Sequence, residues 1–267
     1  MTVALCALLY TSACEAANNA ESSAKARTST VSAADEAILV RARRNKQMFE
    51  DEEAIKDYTT YLSSHPTNER VRAERAEELR NERRYDEYTN DLKILIKSKD
   101  NNIASSAASD LGKLYQKQGK YAEAIKNFKF ARSLGVSTLL TELSECARSS
   151  GDYTTALQVS NEIIKSGDVF EGKRHRAETF LAMNKPREAL DDLNQLTREQ
   201  KKYIASIDKE SRAIFPALKR LLQILADRAK CYDALKESKL AQLDRAEIRK
   251  VEQEAYNETP FLTKDKR

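Results

Sequence analysis

Tryptophan is absent from this sequence, and glycine occurs only 6 times, proline 4 times and histidine 2 times in 267 residues. So few chain breakers exclude a fold of many short strands joined by tight turns. With abundant Ala, Leu, Glu, Lys and Arg they predict a nearly all-helical protein. His65 and His175 are too few and too far apart for a His-based triad or metal cluster. Glycine-rich phosphate loops, H-E-x-x-H and G-x-S-x-G are missing as well. The acidic run "EDEE" at 50–53 lacks the alternating ligand spacing of a calcium loop. No enzyme, cofactor or metal is therefore expected. An excess of one charge is also lacking, because 46 basic residues stand against 42 acidic ones. "RARRNK" at 41–46 is the only short basic run worth weighing, and it reads as a solvated helix face, so no nucleic-acid partner is expected. With 40% hydrophobic and 33% charged residues the chain is too polar for several membrane spans.

The first residues, "MTVALCALLYTSAC", are apolar for about a dozen positions. That is too short to cross a bilayer as a helix but suits the core of a signal peptide over 1–13. Small residues ahead of Cys14 resemble the lipobox of bacterial lipoproteins, which implies a lipidated Cys14 as the mature N-terminus. The other reading of the same residues is a buried or frayed N-terminal helix. Residues 14–34 are small and polar, without hydrophobic periodicity, and read as a flexible tether. Export would place the protein in the cell envelope, anchored to a membrane and facing the periplasm or exterior; the alternative is cytoplasmic.

Numbering Ser105 as position 1, Gly112 falls at position 8, Tyr115 at 11, Gly119 at 15, Tyr121 at 17, Ala124 at 20, Phe128 at 24 and Ala131 at 27. This resembles the tetratricopeptide repeat, a pair of antiparallel helices, with Ala108 standing where tryptophan is usual. The physics of the spacing is direct: small residues at 8 and 20 let two helices approach, and larger ones fill the space around them. Related units lie near 35–68, 69–104, 105–136, 137–169, 170–203 and 222–255. The second has Tyr88 at position 20, where a small residue is expected, which predicts either a more splayed pair or a different register of the repeat there. The resemblance implies an all-α, right-handed superhelical solenoid of about six such hairpins over 35–255, with a tail at 256–267. A helical insertion at 198–223 either lengthens its neighbours or adds a short helix.

Arginine at position 7 recurs with aspartate sixteen residues later: Arg41 and Asp57, Arg75 and Asp91, Arg176 and Asp192, Arg228 and Asp244. Units with Leu111 and Leu143 there carry Asn127 and Val159 instead, so the pair switches together. An ion pair within each hairpin is expected; four arginines offered to an anionic ligand is the functional alternative. Cys146 and Cys231, both at position 10, read as small buried hydrophobes too far apart for a disulfide.

In the tetratricopeptide family the first helices line a concave groove. Carried over position by position, that puts Glu74, Glu77, Arg80, Asp110, Lys113, Lys117, Glu142, Glu145, Arg148 and His175 there, the last expected to be solvated. The basic set that grips a terminal carboxylate in chaperone-binding members is missing, since Ala73, Ser109, Glu77 and Glu145 stand in its place. The resemblance implies a non-catalytic scaffold for a protein or peptide of basic or mixed charge, with a membrane contact through the lipid if the chain is exported.

Overall fold

The computed structural model describes residues 32–208 and 211–258, so the signal segment, Cys14, nearly all of the tether and most of the tail lie outside the described residues. The described residues are helical and unbroken by strands. First helices are α1 (Ala33–Gln47), α3 (Glu69–Asn81), α5 (Asn101–Lys117), α7 (Leu140–Ser149), α9 (Val169–Ala182) and α11 (Ile214–Ala234). Their second helices are α2 (Asp51–Ser64), α4 (Tyr85–Leu95), α6 (Tyr121–Ser133), α8 (Tyr153–Lys165), α10 (Pro186–Ser206) and α12 (Ser238–Glu258). In the first unit of the chain α1 packs on α2 and α2 on α3, and from α5 to α12 each helix packs against the next, as an array of hairpins requires.

Local chemistry sets the ends of these helices. Asn68, Asp100, Asp152 and Asp168 cap α3, α5, α8 and α9, each side chain accepting from a first-turn N–H that has no partner inside the helix. Pro186 begins α10, where its missing N–H costs nothing. Between the two helices of every hairpin, position 15 takes a left-handed conformation: Phe49, Arg83, Gly119, Gly151, Asn184 and Lys236. The N–H after it then turns back onto the first helix, as Lys120 does to the Tyr115 carbonyl at 2.8 Å and Lys185 to Phe180 at 2.8 Å.

The chain divides into two compact units between Asp91 and Leu92, inside the hairpin that carries Tyr88. Tyr88 itself is buried. In the first unit Ala42 and Ala54 meet without exposed surface, and Tyr58, Tyr61, Leu62 and Val71 close the core around them. In the second, Gly112 lies directly under the ring of fully buried Phe128; a Cβ on residue 112 would overlap that ring. Ser144 and Ser160 replace this large-against-small contact in the fourth hairpin with a 3.2 Å hydroxyl pair. Of the two readings of the insertion, the structure has the longer helices: α10 and α11 run 21 residues each. Gln200 Nε2 donates to the Ala217 carbonyl at 2.9 Å, and Ile214, Leu218, Leu221 and Leu225 bury the added turns.

Candidate interaction surface

The recurring arginines are committed to the fold. Nε and Nη2 of Arg41 donate to Asp57 at 2.7 and 2.5 Å, those of Arg75 to Asp91 at 2.8 and 2.6 Å, those of Arg176 to Asp192 at 2.8 and 2.7 Å, and those of Arg228 to Asp244 at 2.8 and 2.5 Å. All four carboxylates are buried, and Arg72 adds a further 3.0 Å bond to Asp91. The Arg176 and Arg228 guanidiniums are held above their ordinary range by the hydrogen bonds they donate to their aspartates.

Three of these arginines also reach back to the preceding hairpin. Nη1 of Arg75 donates to Thr59, that of Arg176 to Asn161 and that of Arg228 to Asn194, at 3.2, 2.7 and 3.2 Å. These acceptors all stand at position 25. Ahead of the two leucine hairpins, position 25 holds Lys93 and Lys129, which could not accept and would repel an arginine. Lys93 lines one shallow hollow with Leu111 and Asn127, at the place an Arg–Asp pair would otherwise fill. The motif is therefore a triad of positions 7, 23 and 25 that ties hairpins to one another. In each of these three arginines all three guanidinium nitrogens donate to protein acceptors.

A second set of contacts runs between successive first helices. In the first unit Arg43 grips Glu74 through two bonds of 2.9 and 3.0 Å, and Lys46 pairs with Glu77 and, at 2.9 Å, with buried Glu78. Burial pushes the Glu74 carboxyl up, but Arg43 outweighs it and holds it low; at Glu78 burial wins and the carboxyl is raised. In the second unit Gln116 donates to Glu145 at 3.3 Å, and Arg148 pairs with Glu178. Position 12 of one hairpin thus meets position 9 of the next three times, across gaps of about thirty residues.

Of the ten residues expected in the groove, Arg80, Lys113 and Lys117 are exposed, and Asp110, Glu142 and Glu145 are half-buried on α5 and α7. Glu74, Glu77 and Arg148 are engaged in the ion pairs just described. His175 is a correction, because its side chain is fully buried instead of solvated. Arg174 Nη2 lies 3.2 Å from its Nε2, and Glu178 Oε2 lies 3.6 Å from its Nδ1, so charged neighbours enclose the ring. Burial raises the Glu178 carboxyl, but His175, Arg174 and Arg148 together outweigh it and hold it at about 2. Cys146 and Cys231 are free and buried, and burial pushes their thiols up to about 11 and about 12. Among the described residues no group of three or more His, Cys, Asp or Glu is arranged to hold a metal ion, and no helix is long and apolar enough to cross a membrane.

These features define the class: a tandem array of tetratricopeptide-like helix hairpins whose first helices present charged side chains. No family model matches the chain, and no curated protein does. Among solved structures, the chain is similar to a tetratricopeptide repeat protein from Parabacteroides merdae at 18% identity, over 88% of this chain and 87% of that one, with a TM-score of 0.45. It is also similar to PilW, a type IV pilus biogenesis factor, at 14% identity over 82% and 93% with a TM-score of 0.48. A kinesin light chain with tetratricopeptide-like repeats from Podosopora anserina matches at 14% identity over 83% and 96%, TM-score 0.46.

Proposed function

We propose that this chain is a non-catalytic scaffold that holds a protein or peptide partner against its first-helix face, tethered to a membrane through a lipidated Cys14. The supporting observation is the distribution of charge on α5 and α7. There Asp110, Glu142 and Glu145 stand half-buried among the exposed Lys113 and Lys117, on helices whose apolar side chains are consumed by packing. Both signs are present on that face, which suits a mixed-charge segment. In the first unit Arg43 and Lys46 already neutralise Glu74 and Glu77, so the second unit carries the larger share of recognition. Charge complementarity of this kind speeds encounter and selects partners more than it tightens binding.

The test is a pull-down from the source cell with the tagged full chain and with Glu142→Lys/Glu145→Lys. Gln116 donates only a 3.3 Å bond to Glu145, so the double variant should melt within a few degrees of wild type. Loss of a partner that wild type retains supports the proposal, and equal capture of every partner by the variant rejects it. The anchor is tested separately by fractionation. Cys14→Ser should move the folded chain from the membrane to the soluble fraction, whereas native protein with an unmodified Met1 would favour the cytoplasmic alternative.

A further inference from the structure

Two surfaces depart from what the repeat puts elsewhere. At position 15, where the other turns hold Gly119, Gly151, Asn184 or solvated Arg83 and Lys236, the first hairpin holds Phe49 with a φ of 59°. Its side chain is 90% exposed, next to Met48 at 57%. An aromatic there is strained and gains no packing in return, so the single chain does not explain it. Exposed Glu50 and Glu52 flank it.

The other surface is on α12. Positions 19 and 22 of the second helices are outward sites: Glu53 and Lys56, Glu87 and Asn90, Glu123 and Lys126, Thr155 and Gln158, Glu188 and Asp191. In the sixth hairpin the same two sites hold Leu240 and Leu243, 40% and 65% exposed. Leu243 sits in a shallow hollow with Gln242 and Ala246, rimmed by Lys239 and Arg249.

We propose that these surfaces meet between copies: Phe49, with its acidic flank, seats in the Leu243 hollow of α12 on a second copy. The apolar knob fits the apolar floor, and Glu50 and Glu52 face Lys239 and Arg249. A membrane fits Leu243 and the cations of the hollow but not the carboxylates around Phe49, which argues for the complementary surface that this chain itself supplies. Such a contact is heterologous. Each copy keeps one unused knob and one unused hollow, so association continues beyond a pair unless it closes into a ring. The knob is a single turn, so the contact is small and the association weak and concentration-dependent. It is independent of any partner on the first helices.

Two variants separate the ends. Phe49→Asn removes the knob and suits the left-handed turn, as Asn184 does in the fifth hairpin. Leu243→Glu spoils the hollow at an exposed site. Sedimentation velocity of the wild-type chain from about 10 µM to about 1 mM should show growth beyond the monomer, in the range expected of small interfaces, and the growth should weaken with added salt. Each variant alone should stay monomeric at the same loadings, with a melting curve no lower than wild type by more than a few degrees. Mixed in equal amounts, they should form a one-to-one dimer that does not grow further, because the mixture holds one intact knob and one intact hollow. Wild type that stays monomeric throughout, either variant that associates like wild type, or a mixture that stays monomeric overturns the proposal. Monomeric wild type that co-sediments with phosphatidylglycerol vesicles through Leu243 would assign the hollow to a bilayer and overturn it as well.

Discussion

The cost of a single side chain in this protein depends on which repeat position it occupies. Phe49 adopts a left-handed φ that disfavours any side chain, and burial of its ring returns nothing. Phe49→Gly should therefore raise unfolding stability by about 1 kcal/mol, read as a higher urea midpoint at unchanged slope. Gly112 presents the opposite case, since a methyl there must displace the fully buried Phe128 ring. Gly112→Ala should lower stability by about 1–3 kcal/mol, and Phe128→Leu in the same chain should recover part of the loss. Glu178 makes stability depend on pH. Its carboxyl is held at about 2 in the fold against an ordinary 4.5, so its contribution is complete above 4.5 and is lost as pH falls through about 2. Denaturant titrations of wild type across that window should fall more steeply than those of Glu178→Gln; parallel curves would refute the assignment.

At the scale of the hairpin, the Arg–Asp motif makes a sharper prediction because the chain contains its own replacement. Arg176→Leu leaves the Asp192 carboxylate buried without its two guanidinium bonds, and should cost roughly 2–3 kcal/mol. Adding Asp192→Asn recreates the Leu111 and Asn127 combination of the third hairpin and should recover more than half of that loss. If the double variant is less stable than the single one, the leucine hairpins are not a true alternative solution to the same packing. Positions 7 and 23 were legible in the sequence because both lie in one hairpin, where helical spacing alone brings them together. The small columns at 8 and 20 and the turn at 15 were legible for the same reason. Position 25 and the ladder from Lys46 to Glu77 and from Arg148 to Glu178 were not, because they require the register between hairpins. That register depends on loop lengths that differ from unit to unit. His175 was misread for a related reason: burial of a polar ring is set by neighbours such as Arg174 and Glu178, which the residue's own position does not specify.

At the scale of the whole molecule, an array of hairpins has no single centre, and its stability is approximately a sum of terms between neighbours. From the third hairpin on, each later hairpin keeps the apolar face of the one before it dry. The long pair α10 and α11 makes this measurable within the second unit. Leu193 and Leu196 on α10 are buried in one cluster with Ile224 and Cys231 on α11, and Gln200 bonds across to Ala217. A chain ending at Ser206 would lose α11 and α12 and expose those leucines, at about 1.5–3 kcal/mol for each side chain returned to water. For a domain of this size that corresponds to a fall of roughly 10 °C in melting temperature. The truncated chain should therefore melt well below the full one, and its circular dichroism should show more helix lost than the removed residues account for, because α10 frays once its partner is gone. A truncated chain that keeps the melting temperature of the full protein would mean that α10 is held by its own hairpin alone, and the nearest-neighbour account of this end of the array would fail.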